Sequence, residues 1–187
     1  MATNRVRVWD RFVRVFHWSL VASFATAYFV TEHIGWVHKG AGYLALALIA
    51  ARCVWGFIAP GPHARFDSFV PTPARLWRYL RLLLQGREPR HLGHNPAGAV
   101  MILYLLAAVA VIGVTGHLMT TDAFWGNDLV ETLHVTTVDI TVIAVIVHVG
   151  ANLYESIRHR DNMFKAMVTG EKNVPASDGA EAERAWP

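Results

Sequence analysis

The chain has 187 residues, of which 53% are hydrophobic and only 17% are charged, and its net charge is +3. A soluble domain carries about 25% charged residues, so this chain is short of solvating surface, and its mean hydropathy of +0.30 points to apolar blocks. The high apolar content excludes a disordered or collagen-like chain. A disulfide-stapled fold is excluded because Cys53 is the only cysteine. No basic stripe stands clear of the apolar blocks, which argues against a nucleic-acid partner.

Four apolar blocks are long enough to cross a bilayer. A hydrocarbon core about 30 Å thick needs roughly 20 mostly apolar helical residues. The first block exceeds the apolar length of a signal peptide, and no A-x-A-like cleavage site follows it, so we interpret it as an uncleaved span. The sequence therefore predicts an all-α integral membrane protein, a four-helix transmembrane bundle with spans at residues 15–30, 40–58, 97–119 and 129–154.

Lysine and arginine in the short flanks predict the orientation of the spans. They are concentrated in the amino-terminal flank, in the connection between the second and third spans and in the tail. The two remaining connections contain Lys39 alone. With four spans both termini lie on one side, and the positive charges predict that this side is the cytoplasm.

The long connection at residues 59–96 contains an amphipathic pattern. Pro73 is placed to begin a helix and Gly86 to end it. We predict an amphipathic helix that lies in the membrane interface between spans two and three. Residues 175–187 have the composition of a disordered cytoplasmic tail, which leaves residues 1–174 as the membrane domain. The predicted apolar face of the amphipathic helix consists of Leu76, Leu80, Leu83 and Leu84.

An ionisable residue inside a span indicates function. Among the ten histidines, three lie within the spans and one opens the second span, and these four are His17, His38, His134 and His148; His33 and His117 lie at outer ends of spans, where they could be interfacial or line a site. His134 and His148 are 14 residues apart, about 21 Å along a helix and nearly a whole number of turns, so their rings point the same way at two depths. His17 lies near the inner end of the first span, and His38 opens the second span at its outer end. The directions of the spans therefore pair His17 with His148 and His38 with His134.

Two histidine pairs at two levels predict two bis-histidine haems, one above the other. Arg52 lies 14 residues beyond His38, hence at the inner level, and its planar guanidinium suits a haem propionate. Packed, hydrogen-bonded histidines are the simpler alternative, and a zinc or copper site is a third, although zinc gathers its ligands at one place. Mostly small residues share the ligands' faces and leave room for a porphyrin: Gly42, Ala45 and Ile49 with His38, and Thr137, Thr141 and Ala144 with His134.

Five motifs occur in a characteristic order: R-V-F-H-W at 14–18, H-K-G-A-G-Y at 38–43, A-R-C-V-W-G at 51–56, V-T-G-H-L-M at 114–119 and H-x13-H at 134–148. Together they resemble bacterial cytochrome b561 and the b-type cytochrome subunits of nickel–iron hydrogenases and formate dehydrogenases, over roughly residues 7–170. The resemblance implies a four-helix bundle in the bacterial inner membrane with two b haems. It carries the role of haem-iron ligand onto His17, His38, His134 and His148.

The same resemblance implies electron transfer between an outer-side partner and the quinone pool. The partner would be a periplasmic redox protein such as a c-type cytochrome, or a hydrogenase or dehydrogenase subunit. Quinone would bind near the inner haem. Asn152 lies one turn beyond His148 and is the candidate hydrogen-bond donor, although a helix-end residue that faces lipid headgroups is the simpler interpretation of it. One departure concerns the end of the first span, where many members have a T-G pair and this chain has Thr31, Glu32 and His33.

Two other functions remain open. A self-sufficient superoxide:quinone oxidoreductase needs a cationic entry to the outer haem, for which Lys39 and His33 are the candidates. A histidine-lined metal or proton transporter would involve no redox chemistry. The outer surface is predicted to be acidic, which favours a basic protein partner and disfavours an anion. Its acids are Glu32, Asp122, Asp128 and Glu131.

Overall fold

The computed structural model describes residues 3–29 and 35–175, and these residues are mostly helical. The four predicted spans fall on helices at Arg11–Phe29, Gly35–Ile58, Pro96–Leu118 and Asp128–Arg158. The first two helices begin four and five residues before their predicted spans, the third ends one residue before its predicted end, and the fourth continues four residues further than predicted. In chain order the elements are β1 (Thr3–Arg7), α1 (Arg11–Phe29), α2 (Gly35–Ile58), α3 (Phe66–Phe69), α4 (Pro73–Leu84), α5 (Pro96–Leu118), α6 (Asp128–Arg158), α7 (Met163–Thr169) and β2 (Glu171–Pro175).

Three of the described helices, α2, α5 and α6, are long and apolar enough to cross a membrane. Much of their apolar surface is exposed: Phe57 on α2 is 71% exposed and Ile146 on α6 is 66% exposed. Contiguous apolar surface of this kind is stable against lipid rather than water. Helix α1, with Arg11 and Arg14 in its first turn and a half, is not one of the three.

The chain divides into two compact units. The first, which we call the loop-rich unit, consists of Met1–Arg14, Val54–Ile102 and His148–Pro187. The second, the helical unit, consists of Val15–Cys53 and Leu103–Val147. Helices α2, α5 and α6 each contribute to both units.

In the helical unit, α2 presents the face that the sequence predicted. Ala45, Ile49 and Arg52 are all buried on that face, in register with His38. Helix α5 approaches α2 closely where it has Gly113. The small residues of these helices therefore permit close packing, as is typical of membrane helices.

In the loop-rich unit, the two ends of the described chain pair as an antiparallel two-stranded sheet. Thr3 lies opposite Pro175, and Arg7 lies opposite Glu171. Gly170, with φ of 87°, ends α7 in the left-handed conformation that glycine favours. This sheet was not predicted from the sequence. Pro175, assigned there to the disordered tail, belongs to β2, and residues 176–187 lie outside the described residues.

The amphipathic helix of the long connection is confirmed as α4. Thr72 precedes it as the N-cap, and its hydroxyl accepts a hydrogen bond from the backbone N–H of Arg75 at 3.3 Å. Leu84 is 89% exposed and Trp77 is 66% exposed, so Leu84 does not share the environment of the other leucines of its predicted face. The location of α4 in the membrane interface stays a prediction. The other three leucines, Leu76, Leu80 and Leu83, are half-buried.

Candidate haem site

The structure brings the predicted outer pair of histidines together. The ring centres of His38 on α2 and His134 on α6 are 6.4 Å apart, with an angle of 70° between the ring planes. Two imidazoles on opposite sides of one metal ion, with metal–nitrogen bonds of about 2 Å, have ring centres about 6 Å apart. The spacing therefore fits two axial ligands of a single iron.

Hydrogen bonds at Nδ1 fix how both rings can bind a metal. His38 Nδ1 lies 2.9 Å from the carbonyl oxygen of Ala27, which can only accept, so Nδ1 carries the proton and Nε2 keeps its lone pair. His134 Nδ1 lies 3.0 Å from Thr115 Oγ1. The Thr115 hydroxyl donates to the carbonyl of Val111 at 2.7 Å, so its oxygen accepts from Nδ1–H of His134. Metal-binding histidines usually hold their second nitrogen in this way.

Helix α5 supplies this support although it carries no predicted ligand. A Cβ on Gly116 would lie 3.1 Å from Cε1 of His134, so the backbone of α5 passes close to the ring. Beside it, the Tyr43 hydroxyl and His117 Nδ1 form a hydrogen bond of 3.1 Å between exposed side chains. The role of Thr115 was not predicted from the sequence. Thr115 belongs to the V-T-G-H-L-M motif, but the motif does not indicate which face of α5 meets His134.

The predicted inner ligands lie in different units. His17 is half-buried on α1 in the helical unit, with its ring edge-on to Trp18 at 5.0 Å. His148 is half-buried where α6 enters the loop-rich unit. His134 and His148 share one uninterrupted helix, as their spacing predicted. Arg52 is buried on α2, with 3% exposure.

Asn152 follows His148 by one turn. Its side-chain nitrogen donates to the backbone carbonyl of His148 at 2.7 Å and lies 3.4 Å from Nε2 of the same ring. This contact uses one of the two amide N–H groups of Asn152. The residue is half-buried, so its side chain is neither fully packed nor fully solvated.

A second polar cluster surrounds Glu155 in the loop-rich unit. Its Oε1 accepts hydrogen bonds from the Tyr79 hydroxyl at 3.1 Å and from Asn95 Nδ2 at 2.8 Å. On the other side, His159 Nε2 lies 3.2 Å from Glu155 Oε2. Burial, and next the charge of Glu155, raise the pKa of Tyr79, so the phenol stays a donor at neutral pH.

The two neighbouring acids of this unit are each paired with an arginine. Arg158 Nε donates to Glu88 Oε1 at 3.1 Å, and Arg90 donates to Asp161 Oδ2 at 3.1 Å. Both carboxylates are buried. Lys172 on β2 is buried as well, and that burial lowers its pKa to about 8.

Histidines of the connection between α2 and α5 pack against aromatic side chains. His94 stacks on Trp9 with ring centres 4.5 Å apart, while His91 packs edge-on to Tyr79. Burial is the main cause of a lowered pKa at His63 and His91, so these side chains favour the neutral form. Among the residues that the structure describes, no group of three or more metal-binding side chains occurs, and H-L-G-H at 91–94 is not part of one.

The predicted charges of the outer side are partly described. Asp122, Asp128 and Glu131 are exposed, and Lys39 is exposed directly after His38. Glu32 and His33, which were also predicted to lie on this surface, are outside the described residues.

Comparison with known families and proteins supports the resemblance read from the motifs. A family model described as prokaryotic cytochrome b561 matches residues 8–170. The chain is 25% identical to a probable Ni/Fe-hydrogenase B-type cytochrome subunit of Azotobacter vinelandii, over 88% of this chain and 87% of that protein. Proteins of the same name from Bradyrhizobium diazoefficiens and Cupriavidus necator are 25% and 27% identical, over 89% and 78% of this chain and 85% and 70% of their own lengths.

No solved structure matches the chain. The family match nevertheless covers most of the sequence and contains all four span histidines, together with the three apolar helices. The chain belongs to the prokaryotic cytochrome b561 family, whose members are membrane-bound, haem-b-containing electron-transfer proteins.

Proposed function

We propose that this chain is a di-haem electron carrier that passes electrons between a redox protein on the outer side of the inner membrane and the quinone pool. The observation that carries the proposal is the facing pair His38 and His134, with the Nδ1 atom of each ring held by an acceptor. A bound b haem supplies reversible one-electron chemistry. The chain's own residues determine where the haem sits and how readily it accepts an electron.

At the outer level, His38 and His134 would hold the haem iron through Nε2. The Ala27 carbonyl and the Thr115 hydroxyl orient the rings and increase their basicity, because each accepts the Nδ1 proton. More basic ligands favour the oxidised iron, so these two hydrogen bonds lower the reduction potential.

At the inner level we assign His17 and His148 as ligands of the second haem, and Arg52 as the partner of a propionate. In this arrangement α1 is the fourth transmembrane helix, and both termini lie in the cytoplasm. The support is the inward face shared by His38 and Arg52 on α2, and the single helix that joins His134 to His148. An arginine buried among apolar helices is costly unless anions or backbone carbonyls pair with it, and a haem propionate suits its planar guanidinium.

The names of the relatives support a nickel–iron hydrogenase as the redox partner, since each is called a probable Ni/Fe-hydrogenase B-type cytochrome subunit. A periplasmic c-type cytochrome is the other partner consistent with exposed acids at Asp122, Asp128 and Glu131. Quinone then binds at the inner end, where Asn152 offers an amide N–H beside His148.

Visible reduced-minus-oxidised spectra test this function. Purified wild-type protein is expected to show b-type bands, and His38→Ala and His134→Ala are each expected to abolish the same component. His117→Ala is the matched control, because it removes another histidine near this site that is not a proposed ligand. Wild-type protein without b-type bands would contradict the proposal and favour the histidine-lined transporter.

Superoxide:quinone oxidoreduction is the second candidate, because exposed Lys39 directly follows a proposed ligand of the outer haem. A cation at this position would attract an anionic reductant. Rapid haem reduction by superoxide, abolished in Lys39→Gln, would favour this activity over the carrier. We expect no such dependence, because the neighbouring exposed acids repel the anion.

A further inference from the structure

We propose that Glu155 is the proton carrier for the quinone reduced at the inner end of α6. The inference rests on the proposed quinone site at Asn152. It assigns a role to a cluster in the loop-rich unit that the haem ligands do not use. Its members are Glu155, Tyr79, Asn95 and His159.

The position of Glu155 suits proton delivery. Glu155 follows Asn152 by three residues on α6, and side chains at this spacing lie about 5–6 Å apart on one helix face. The carboxylate side chain is 18% exposed and the neighbouring His159 side chain is 14% exposed. The pair therefore reaches both towards Asn152 and towards solvent.

The two carboxylate oxygens have different surroundings. Oε1 is held by two neutral donors, Tyr79 and Asn95, which fix the direction of the group. Oε2 lies 3.2 Å from His159 Nε2, a distance for an ion pair, but the imidazole is not aligned as an N–H···O donor. One oxygen thus anchors the carboxylate, while the other lies beside an imidazole, a group that can both accept and donate a proton.

The neighbouring carboxylates are unsuited to this role. Glu88 pairs with Arg158 and Asp161 pairs with Arg90. A guanidinium does not release its proton in this pH range, so neither acid has a partner from which it could take up a proton. Glu155 has a histidine where those acids have an arginine.

Other titratable groups also act on Glu155. His91 packs on Tyr79, and its charge interacts with that of Glu155. Lys172 on β2 interacts with the same carboxylate, and the charge of Glu88 acts on the neighbouring phenol of Tyr79. Proton uptake at Glu155 is therefore coupled to this group of charges and not to His159 alone.

Reduction of one quinone to quinol takes two electrons and two protons. The outer redox partner of the proposed function supplies the electrons. Since His159 Nε2 is itself buried, each proton enters the imidazole from water at Nδ1. A proton then leaves Nε2 for Glu155 Oε2, and Glu155 passes one proton to a quinone carbonyl oxygen. After each transfer Glu155 returns to the carboxylate and is protonated again from the cytoplasmic side.

The test mixes purified haem-loaded protein, reduced in advance and freed of excess reductant, with a water-soluble quinone, and compares Glu155→Gln with Glu171→Gln. The control removes a half-buried carboxylate of the same unit, whose ion partner is the exposed Arg5 at 3.9 Å. We expect Glu155→Gln to slow quinone reduction roughly 100-fold, the lower range for loss of a positioned proton donor. We expect Glu171→Gln to leave the rate within about 2-fold of wild type, because a solvent-accessible ion pair of this kind contributes little.

Two further readouts separate proton transfer from a structural role. Formate added to Glu155→Ala should restore the rate, since a small acid can occupy the vacated space and carry the proton. The redox difference infrared spectrum should show a carboxyl C=O signal in wild type that is missing in Glu155→Gln. Unchanged rates in Glu155→Gln, or a slowed variant with neither formate rescue nor loss of the carboxyl signal, would overturn the proposal.

Failure of the proposed function gives a different result. In that case wild-type protein itself would not reduce quinone or bind a quinone analogue. The proton-carrier proposal alone fails when wild type and Glu155→Gln both bind the analogue and reduce quinone equally fast. Tyr79→Phe keeps the carboxylate and removes one anchor, so a modest slowing with retained infrared signal is expected even if Glu155→Gln does not fold.

Discussion

Thr115 is the side chain that orients a proposed haem ligand from a helix with no ligand of its own. Its hydroxyl accepts from His134 Nδ1 and donates to its own helix. Loss of such a support typically costs roughly 10–100-fold in metal affinity. We expect Thr115→Val to weaken outer-haem binding by that factor and to raise the potential of the retained haem, as measured by haem titration and redox titration.

Thr137→Val is the matched control for this substitution. Thr137 also donates its hydroxyl to a carbonyl one turn earlier, but it holds no histidine nitrogen. Its haem affinity and potential should match those of wild type. Equal effects of the two substitutions would show that the Thr115 hydroxyl supports the helix rather than the ligand.

Lys172 is expected to reduce stability near neutral pH. Burial lowers its pKa from 10.5 to about 8. One pKa unit corresponds to about 1.4 kcal/mol, so the penalty is about 3 kcal/mol at pH 7. Between pH 8 and 10.5 the unfolded chain binds a proton that the folded chain does not, so stability should rise with pH across this window.

We therefore expect Lys172→Met to raise the thermal denaturation midpoint at pH 7, with a gain that shrinks as the pH approaches 10. Lys165→Met, at an exposed position on α7, is the control and should change little. A gain that is constant with pH would mean that packing, rather than charge burial, distinguishes the variant.

The proposed ligand histidines stand out in the sequence, but the groups that hold their rings do not. His134 and His148 stand out because ionisable residues are rare in apolar helices and their spacing repeats the helical period. The contacts of Ala27 and Thr115 depend on how neighbouring helices are rotated, and a carbonyl leaves no side-chain signal. Glu155 was missed because its partners lie 76 and 60 residues away.

At the scale of the elements, α5 positions the site by close backbone approach. A Cβ at Gly116 would lie 3.1 Å from His134 Cε1, so the ring would have to move by a few tenths of an ångström. We expect Gly116→Ala to shift the spectrum and potential of the outer haem. Gly113→Ala is the matched control, because its Cβ would lie equally close, 3.1 Å, to Leu46 rather than to a histidine.

The two variants separate ligand displacement from helix packing. Gly113→Ala should affect stability without changing the haem spectrum, since the flexible end of Leu46 can adjust. Identical spectral shifts in both variants would contradict a direct effect of α5 on His134.

Helices were predictable here, and the sheet was not. Apolar blocks of membrane length, with a proline before α4, indicate helices through local pattern alone. Strands β1 and β2 have five residues each and pair across nearly the whole chain. Such short segments give little periodicity, and their partner cannot be read from local sequence. The same long-range pairing explains why Pro175 was assigned to the tail.

At the scale of the whole molecule, the exposed acids of the outer side predict how fast a basic redox protein associates with it. Asp122, Asp128 and Glu131 are exposed. Exposed surface charges act mainly on the rate of encounter with a partner, and salt at physiological concentration screens them over about 8 Å. We expect the rate of electron exchange with a basic c-type cytochrome to fall as ionic strength rises.

Replacing these three acids with asparagine and glutamine should lower the rate at low salt and flatten its salt dependence, as measured by stopped-flow absorbance. Asp67→Asn is the matched control, because it removes an exposed acid from the connection predicted to lie on the opposite side, and it should retain the wild-type dependence. A wild-type rate that is independent of salt would contradict electrostatic docking at this surface.

The central claim is that four span histidines bind two haems at two levels. The amount of haem per polypeptide, determined by the pyridine haemochrome assay on purified protein, tests it most directly. We predict a value close to two. A value near one would remove one histidine pair, and a value near zero would contradict the assignment of this chain as a di-haem electron carrier.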